Sequence, residues 1–366
     1  RSEGCGDCSD KSNCVSVEPL ETPFGRKRQI NQSSCNQDLS CVKGFCPSFV
    51  TVTGGTLKKP APVAGQAATL PPVPEPVLPE AQSAWGIVVA GVGGTGVITI
   101  GQLLGMAAHM EGKGVITQDA AGLAQKGGAT WSHVQIADSI EAIHTTKVYT
   151  AKADLVIGCE AIVTAGKTTL SVMHPERTYV ALNTHRTPTA AFVTDPDWVF
   201  PNEACEAAIG RAVGSGHLGA FDAEALSVKL LGDSIYTNPM MLGYAWQKGR
   251  IPLTRESLMR AMELNGVQID KNKAAFEWGR RCAHDLAAVQ ALTQTAQVIQ
   301  LLKRPALDAL VGSRVEFLTA YQNAGYAAQY RAFVDKVRAA EAAVADRKST
   351  RLNSSHIPLS RMPSSA

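Results

Sequence analysis

The chain has 366 residues, of which 45% are hydrophobic and 18% are charged, a balance typical of a globular protein of two or three domains. No stretch reaches the ~18 apolar residues that a membrane-spanning helix needs, and no signal peptide is visible, so we expect a cytoplasmic protein without a membrane partner. The net charge of +3 does not indicate a nucleic-acid partner, because residues 346–366 carry four basic side chains and one acidic one.

Residues 1–55 form a polar module that contains six of the nine cysteines. In the cytoplasm, clustered cysteines bind metals more often than they form disulfides. Cys5 and Cys8 are spaced so that two thiolates of one turn can hold the same metal centre, and the distant cysteines can complete the cage. The run ends in Cys46-Pro47, which is typical of ferredoxin segments that bind clusters. We predict an iron–sulfur site whose ligands come from Cys5, Cys8, Cys14, Cys35, Cys41 and Cys46.

Zinc is the main alternative metal. A zinc site uses four ligands from cysteine and histidine, whereas this module has six cysteines and no histidine. We therefore favour a [4Fe–4S] cluster, although the spacing does not say which four cysteines share it. The alternative function is that of a non-enzymatic module, stabilised by a bound zinc ion, that mediates an interaction.

Residues 56–84 contain seven prolines, and this composition predicts an extended, semi-rigid linker. From residue 85 to about residue 285, strand and helix patterns alternate, which predicts an α/β domain with a doubly wound sheet. The predicted strands are 86–90, 114–118, 132–137, 155–159 and 179–182, and the predicted helices are 95–111, 161–173, 203–213, 239–247 and 255–262. Residues 286–345 are rich in alanine and are predicted to begin a further helical region.

A glycine-rich turn follows the first predicted strand of this domain. Gly91, Gly93 and Gly96, with Gly94 between them, match the G-x-G-x-x-G pattern that brings backbone amides against a pyrophosphate. Asp119 lies roughly where a carboxylate would bind the ribose of a dinucleotide. The pattern equally fits a tight turn that needs glycine only for packing. An oxidoreductase that links the cluster to NAD or a flavin is therefore a second open function.

A second glycine pair, Gly127 and Gly128, lies between two predicted strands and follows Lys126. A lysine beside two glycines can contact an anion such as a phosphate, although a solvated lysine in a turn is equally expected. The remaining cysteines, Cys159, Cys205 and Cys282, are isolated and predicted to be buried apolar residues. The histidines have no metal-ligand spacing, and we assign them no role.

Two long strings carry a resemblance to a known family. They are GCGDCSDKSNCVSVEPLETPFGRKRQINQSSCNQDLSCVKGFCPSFVTV and GVGGTGVITIGQLLGMAAHMEGKGVITQDAAGLAQKGGATWSHVQIA. With them the chain resembles the large fused bacterial indolepyruvate ferredoxin oxidoreductases, which belong to the 2-oxoacid:ferredoxin oxidoreductase superfamily. The resemblance implies a ferredoxin-like iron–sulfur module at 1–55 and a gamma-type domain at 85–285.

The resemblance also implies the activity and its cofactors. Members of this family decarboxylate an aryl 2-oxoacid with thiamine diphosphate, pass the electrons through iron–sulfur clusters to ferredoxin, and transfer the acyl group to coenzyme A. The gamma-type domain need not hold NAD. The thiamine-binding domains that meet the substrate precede the cluster segment in this family and are absent here, so we expect this chain alone to be inactive. We also expect a homo-oligomer. Ser2 stands where the family carries a further cysteine, which leaves the number of clusters open.

The two ends of the chain give further expectations. The sequence opens without a methionine close to the first cysteine, which is typical of an internal fragment. Residues 346–366 resemble the in-frame translation of a sequencing adapter, and we predict that they are an artefact outside the fold.

Overall fold

The computed structural model describes residues 4–12, 14, 16–23, 25–35, 37–44, 54, 72–122, 128–188, 192, 195, 197–293 and 306–344. The chain divides into two compact units. The first contains Arg1–Pro19 and Arg28–Thr295, and the second contains Leu20–Lys27 and Ala296–Ala366. The predicted tail at 346–366 lies outside the described residues.

The cysteine-rich module contains one short helix, a β-hairpin and a 3₁₀ turn. Helix α1 is Asp7–Ser12, strands β1 (Val17–Thr22) and β2 (Gly25–Ile30) form a two-stranded sheet, and the 3₁₀ turn is Ser40–Lys43. Gly25 opens β2 with a φ of 89°, in the left-handed region that favours glycine. Elements this short bury little apolar surface, so the module depends on a bound group or on docking for its stability.

A six-stranded sheet forms the centre of the larger domain, with the strand order β4-β5-β3-β6-β7-β8. Strands β3, β6, β7 and β8 run parallel, whereas β5 is antiparallel to both of its neighbours, β3 and β4. The strands are β3 (Trp85–Val92), β4 (Gly114–Ala121), β5 (Ala129–Ala137), β6 (Leu155–Gly158), β7 (Tyr179–Asn183) and β8 (Leu218–Phe221).

Nine helices of the described residues follow or separate these strands. They are α2 (Val97–Met110), α3 (Ala161–Thr164), α4 (Lys167–Val172), α5 (Asn202–Val213), α6 (Ala223–Leu231), α7 (Thr237–Gln247), α8 (Arg255–Asn265), α9 (Ile269–His284) and α10 (Leu286–Thr293). No helix in the described part of the chain is long and apolar enough to cross a membrane.

Helices cover both faces of the sheet, which confirms the predicted α/β class with a doubly wound sheet. Successive residues of β3 face opposite sides, so Ile87 and Val89 join one apolar core and Val88 joins the other. Helices α2, α6, α7, α8 and α9 complete the first core. Helices α3, α4 and α5 complete the second. Near-continuous apolar strands are expected for a sheet that is buried on both faces.

Helices α7 and α9 cross at unusually close range. A Cβ atom on Gly243 would collide with the backbone carbonyl of Phe276, and a Cβ atom on Gly279 would collide with the carbonyl of Met240. The rings of Trp246 and Phe276 pack beside this crossing with centroids 5.6 Å apart. Each helix therefore presents a glycine to the other, and α7 is buried on nearly its whole circumference.

The end of the predicted linker lies on the domain. Gln247 donates a hydrogen bond to the carbonyl of Pro74 over 2.7 Å, and Arg280 forms an ion pair with Glu75 over 3.0 Å. Leu78 packs against the first core, and the indole of Trp85 donates to the carbonyl of Arg250. Residues 72–84 are thus attached to the domain that they precede.

The second unit contains the two helices α11 (Leu307–Tyr321) and α12 (Ala324–Val344). Arg338 pairs with Asp308 over 2.6 Å and joins the two helices. These helices fall within the region predicted to be helical, 286–345.

Candidate functional site

The structure describes five of the six predicted cysteine ligands, and Cys46 lies outside the described residues. Cys5 is exposed, Cys8 is buried on α1, and Cys14, Cys35 and Cys41 are half-buried. None of these five cysteines forms a disulfide. The cysteines of the larger domain, Cys159, Cys205 and Cys282, are buried, which confirms their prediction as apolar residues.

The thiols of the module lie close enough to influence one another electrostatically. Burial raises the pKa of the Cys41 thiol, and the neighbouring Cys14, Cys35 and Cys8 raise it further. A thiolate that raises the pKa of its neighbours must lie within the short range over which charges act in a protein. The structure therefore gathers cysteines that are up to 33 positions apart in the sequence, from Cys8 to Cys41.

These thiols are not arranged as a preformed metal site. Among the described residues, no three histidine, cysteine, aspartate or glutamate side chains are placed to hold a metal ion together. The donor chemistry nevertheless fits a thiolate-bound iron–sulfur cluster or zinc ion, since sulfur ligands suit both.

The first two glycines of the predicted turn are needed for packing. A Cβ on Gly91 would lie 2.8 Å from the Cβ of Cys159, and a Cβ on Gly93 would lie 3.0 Å from the hydroxyl of Thr130. The amide of Gly93 donates to the carbonyl of Gly128 over 2.7 Å. This part of the turn therefore contacts β5 and the residue that follows β6 directly.

Gly94 and Gly96 have different surroundings. Their φ values of 85° and 94° are in the left-handed region, and no atom lies within 4 Å of a Cβ built on Gly94. Asn238 donates to the carbonyl of Thr95 over 2.8 Å and holds the turn in place. No side chain caps the first turn of α2. A ligand contact at these two positions stays a prediction.

The two predicted glycine motifs meet in space, because Gly128 accepts the hydrogen bond from Gly93. Lys126 and Gly127 lie outside the described residues, so their contact with an anion stays a prediction.

Asp119 is exposed on β4, and β5 separates β4 from β3. In a dinucleotide-binding unit the strand that carries the ribose-binding carboxylate lies next to the strand of the glycine turn. The topology therefore contradicts the ribose-binding role of Asp119.

Polar residues that sequence reasoning missed lie at the carboxyl ends of the parallel strands. Asn183, the last residue of β7, donates to the carbonyl of Cys159 and accepts from the amides of His185 and Ala223. Its single amide group links the loops that follow β6, β7 and β8. Ligands of doubly wound sheets bind at this edge. The position of polar residues directly after strands was the available sequence signal.

The cysteine-rich module docks at this same edge. Asn31 of the module donates hydrogen bonds to Glu18 over 2.7 Å and to Glu224 of α6 over 3.3 Å. His185 lies beside Asp222, with Nδ1 3.2 Å from its carboxylate, and Nε2 lies 3.5 Å from Glu224. One polar network therefore connects the module to the loops after β7 and β8.

Two acidic side chains at this edge are perturbed by their surroundings. Burial raises the pKa of Glu160, whose carboxylate accepts hydrogen bonds from the amides of Ile162 and Val163 and caps α3. Burial also raises the pKa of Glu224, while the charge of His185 lowers it. Cys159, next to Glu160, has its pKa raised by burial to about 12, so it is not a reactive thiol.

The larger domain matches a known family. A model described as "Pyruvate ferredoxin/flavodoxin oxidoreductase" matches residues 86–282. A second model, described as a family of unknown function (DUF6537), matches residues 307–356. Its last matched positions, 346–356, overlap the segment predicted to derive from an adapter, and that origin stays a prediction.

Relatives of the larger domain are named as oxidoreductase subunits. The indolepyruvate oxidoreductase subunit IorB of Methanothermobacter thermautotrophicus is 30% identical over 197 residues, which cover 53% of this chain and 95% of that protein. The subunit of the same name from Pyrococcus horikoshii is 26% identical over 204 residues, which cover 55% and 97%. The gamma subunit of a keto/oxoacid ferredoxin oxidoreductase from Geobacter sulfurreducens has a TM-score of 0.38 at 19% identity, and the match covers 55% of this chain and 98% of that one.

Proposed function

Because the chain belongs to the pyruvate ferredoxin/flavodoxin oxidoreductase family and to its IorB-type members, we propose that it is the electron-transfer part of an indolepyruvate-type 2-oxoacid:ferredoxin oxidoreductase. In the proposed reaction an aryl 2-oxoacid loses carbon dioxide, its acyl group passes to coenzyme A, and the released electrons pass to ferredoxin. Thiamine diphosphate would be held by parts of the enzyme other than these 366 residues.

The docking of the cysteine-rich module on the family domain carries this proposal. Asn31 donates a hydrogen bond to Glu224 at the carboxyl edge of the sheet, where ligands of doubly wound sheets bind. A [4Fe–4S] cluster held by the cysteines would accept and release one electron at a time. Cys8, Cys14 and Cys35 lie close enough to Cys41 for their charges to act on it, which supports a shared ligand pool, and Cys5 and Cys46 are its other proposed members.

The glycine turn is a proposed contact for a phosphate-bearing ligand rather than for a nicotinamide. Gly91 and Gly93 are occupied by packing against Cys159 and Thr130, and Asp119 lies on a strand that is not next to the turn. Gly94, Gly96 and Gly128, with Lys126 and Gly127, stay the candidates for contact with a nucleotide-like group such as that of coenzyme A.

Metal analysis of the full chain tests the proposal. We expect protein purified without oxygen to contain iron with a matching amount of acid-labile sulfide, and reduction with dithionite to produce an electron paramagnetic resonance signal. Cys8→Ala should lower the iron content, because it removes a thiol of the module. Cys205→Ala is the matched control, because it removes a buried cysteine that packs in the second core.

The alternative metal gives a distinct result. Zinc without sulfide would refute the redox function and support a non-enzymatic interaction module. An equal loss of iron in Cys8→Ala and Cys205→Ala would show that the module does not hold the cluster. Where iron and sulfide are found, adding the thiamine-binding parts and comparing indolepyruvate with pyruvate as the electron donor tests the substrate class.

A further inference from the structure

Arg28 is a buried cation inside the cysteine-rich module. It lies on β2, and only 6% of its surface is exposed. Its guanidinium lies over the backbone of Gly6, where an added Cβ would be 2.9 Å from Nη2. On its other side it stacks on the ring of Phe192, with 4.3 Å between Cζ and the ring centroid. The guanidinium is therefore sandwiched between the Cys5–Cys8 turn and the larger domain.

The hydrogen bonds of Arg28 go to neutral oxygen atoms. Nη1 donates to the hydroxyl of Ser9, and Nη2 lies 3.5 Å from the carbonyl of Phe192. No carboxylate among the described residues lies within ion-pair distance of Arg28, although twelve other ion pairs are present there. Burying a charge without a counter-charge is strongly unfavourable, so a compensating anion is expected nearby.

Arg28 contacts Gly6 and Ser9, which are adjacent to Cys5 and Cys8, so the thiolates of these two cysteines are the candidates for that anion. Burial lowers the pKa of Arg28, whereas the charges of Cys8 and Cys5 raise it. Both are among the predicted cluster ligands. A cluster bound by thiolates carries a net negative charge that grows by one unit on reduction, and a fixed positive charge nearby stabilises the more negative state. Water screens such an interaction weakly when the cation is buried.

We propose that Arg28 is a positioning residue that raises the reduction potential of the iron–sulfur cluster by holding a buried positive charge beside Cys5 and Cys8. The inference rests on the proposed function, in which these cysteines hold the cluster. On reduction one electron enters the cluster, no bond to Arg28 forms or breaks, and the guanidinium keeps its proton. The stacking on Phe192 fixes the distance of the charge from the cluster and ties it to the docked state of the module.

A redox titration of the full chain, monitored by electron paramagnetic resonance, tests the proposal. We expect Arg28→Gln to shift the midpoint potential to a more negative value and Arg28→Lys to stay closer to the wild type. Lys11→Gln is the matched control, because it removes a positive charge from α1 whose side chain is 53% exposed and screened by water. Phe192→Leu keeps the charge and should shift the potential less than Arg28→Gln.

The other possible results of the redox titration also support or overturn the role of Arg28. An unchanged potential in a loaded Arg28→Gln variant overturns the inference, as does an equal shift in Lys11→Gln. Incomplete loading of the protein with the cluster does not obscure the midpoint potential, because only the reduced cluster gives an electron paramagnetic resonance signal. Both substitutions remove the guanidinium contacts, but only Arg28→Lys keeps a positive charge. If Arg28→Gln loses the cluster completely and Arg28→Lys holds it fully, the result therefore supports the role of charge. Loss in both variants overturns it.

The failure of the proposed function is distinguishable from the failure of this inference. A wild-type protein that contains zinc and no sulfide refutes the proposed function and this inference with it. A wild-type protein that contains a reducible cluster, together with Arg28→Gln at the same potential, refutes the inference alone.

Discussion

The imidazole of His185 is surrounded by three carboxylates, those of Asp222, Glu224 and, from the docked module, Glu18. Burial lowers the pKa of His185, but the hydrogen bond with Asp222 and the charges of all three carboxylates raise it above its ordinary value. A protonated His185 therefore balances negative charge that the docking of the module brings together. Once it loses its proton, the carboxylates face one another without a cation between them.

The direction of the pH dependence follows from this raised pKa. A group whose pKa is higher in the folded state stabilises the fold fully below its unfolded pKa, about 6.5 for histidine, and loses that contribution as the pH rises through the folded value. We expect His185→Gln to cost about 1 kcal/mol at low pH and less above neutrality. Urea unfolding midpoints measured across this range check the prediction. His144→Gln, at an exposed histidine, is the control and should follow the wild type; a pH-independent effect of His185→Gln would contradict the prediction.

At the scale of elements, the sequence predicted β6, whose four residues are all buried, but missed β8, which is equally short and only half buried. The predicted strands correspond to β3 through β7. Strand β8 contains Gly219, where a Cβ atom would collide with the hydroxyl groups of Tyr179 and Tyr244. The predicted helix 161–173 is divided into α3 and α4, because Gly166 is extended and begins the second helix.

The direction of β5 could not be read from its apolar pattern, because a buried strand has the same pattern in either direction. The connection from β4 to β5 spans only residues 122–128, which is too short for the crossover that a parallel pair requires. The length of this loop is thus the feature of the sequence that indicates an antiparallel strand.

The crossing of α7 and α9 gives a prediction at this scale. Gly279→Ala should destabilise the domain by about 1–3 kcal/mol, because the new methyl group meets the carbonyl of Met240 and forces the helices apart. Gly210→Ala, in the interior of α5, has nothing within 4 Å of the new Cβ and should stabilise the domain by roughly 0.5–1 kcal/mol through helix propensity. Thermal unfolding of both variants measures the contrast, and destabilisation of equal size in the two would show that the crossing is not tight.

At the scale of the whole first unit, the sequence predicted which parts the chain contains but not how they meet. The cysteine pool followed from composition alone. The bond between Asn31 and Glu224 joins residues 193 positions apart, and the stacking of Arg28 on Phe192 joins residues 164 positions apart. Contacts at such separations leave no periodic or local pattern in a single sequence, so the docked position of the module could not be predicted.

The attachment of residues 72–84 gives a prediction at the same scale. Arg280 is buried, stacks on Trp246 and binds Glu75, Gln247 and the carbonyl of Val73. Arg280→Gln should release this segment, so that a protease cleaves it faster, and should cost about 2 kcal/mol.

Arg255→Gln is the control for that experiment. Arg255 pairs with Glu277, as Arg280 does, but its side chain is about one-third exposed, so its loss should cost less than about 1 kcal/mol. Equal cleavage rates in the two variants would mean that Arg280 does not hold the segment.

The same attachment reduces the number of residues that connect the module to the domain. The connection runs from Gly44 to Pro72, and its length is at most about 100 Å. A link of this reach keeps the module at an effective concentration on the order of millimolar near its docking site. Docking of the module on the domain is therefore an intramolecular step, which needs fewer contacts than the association of two separate proteins would require.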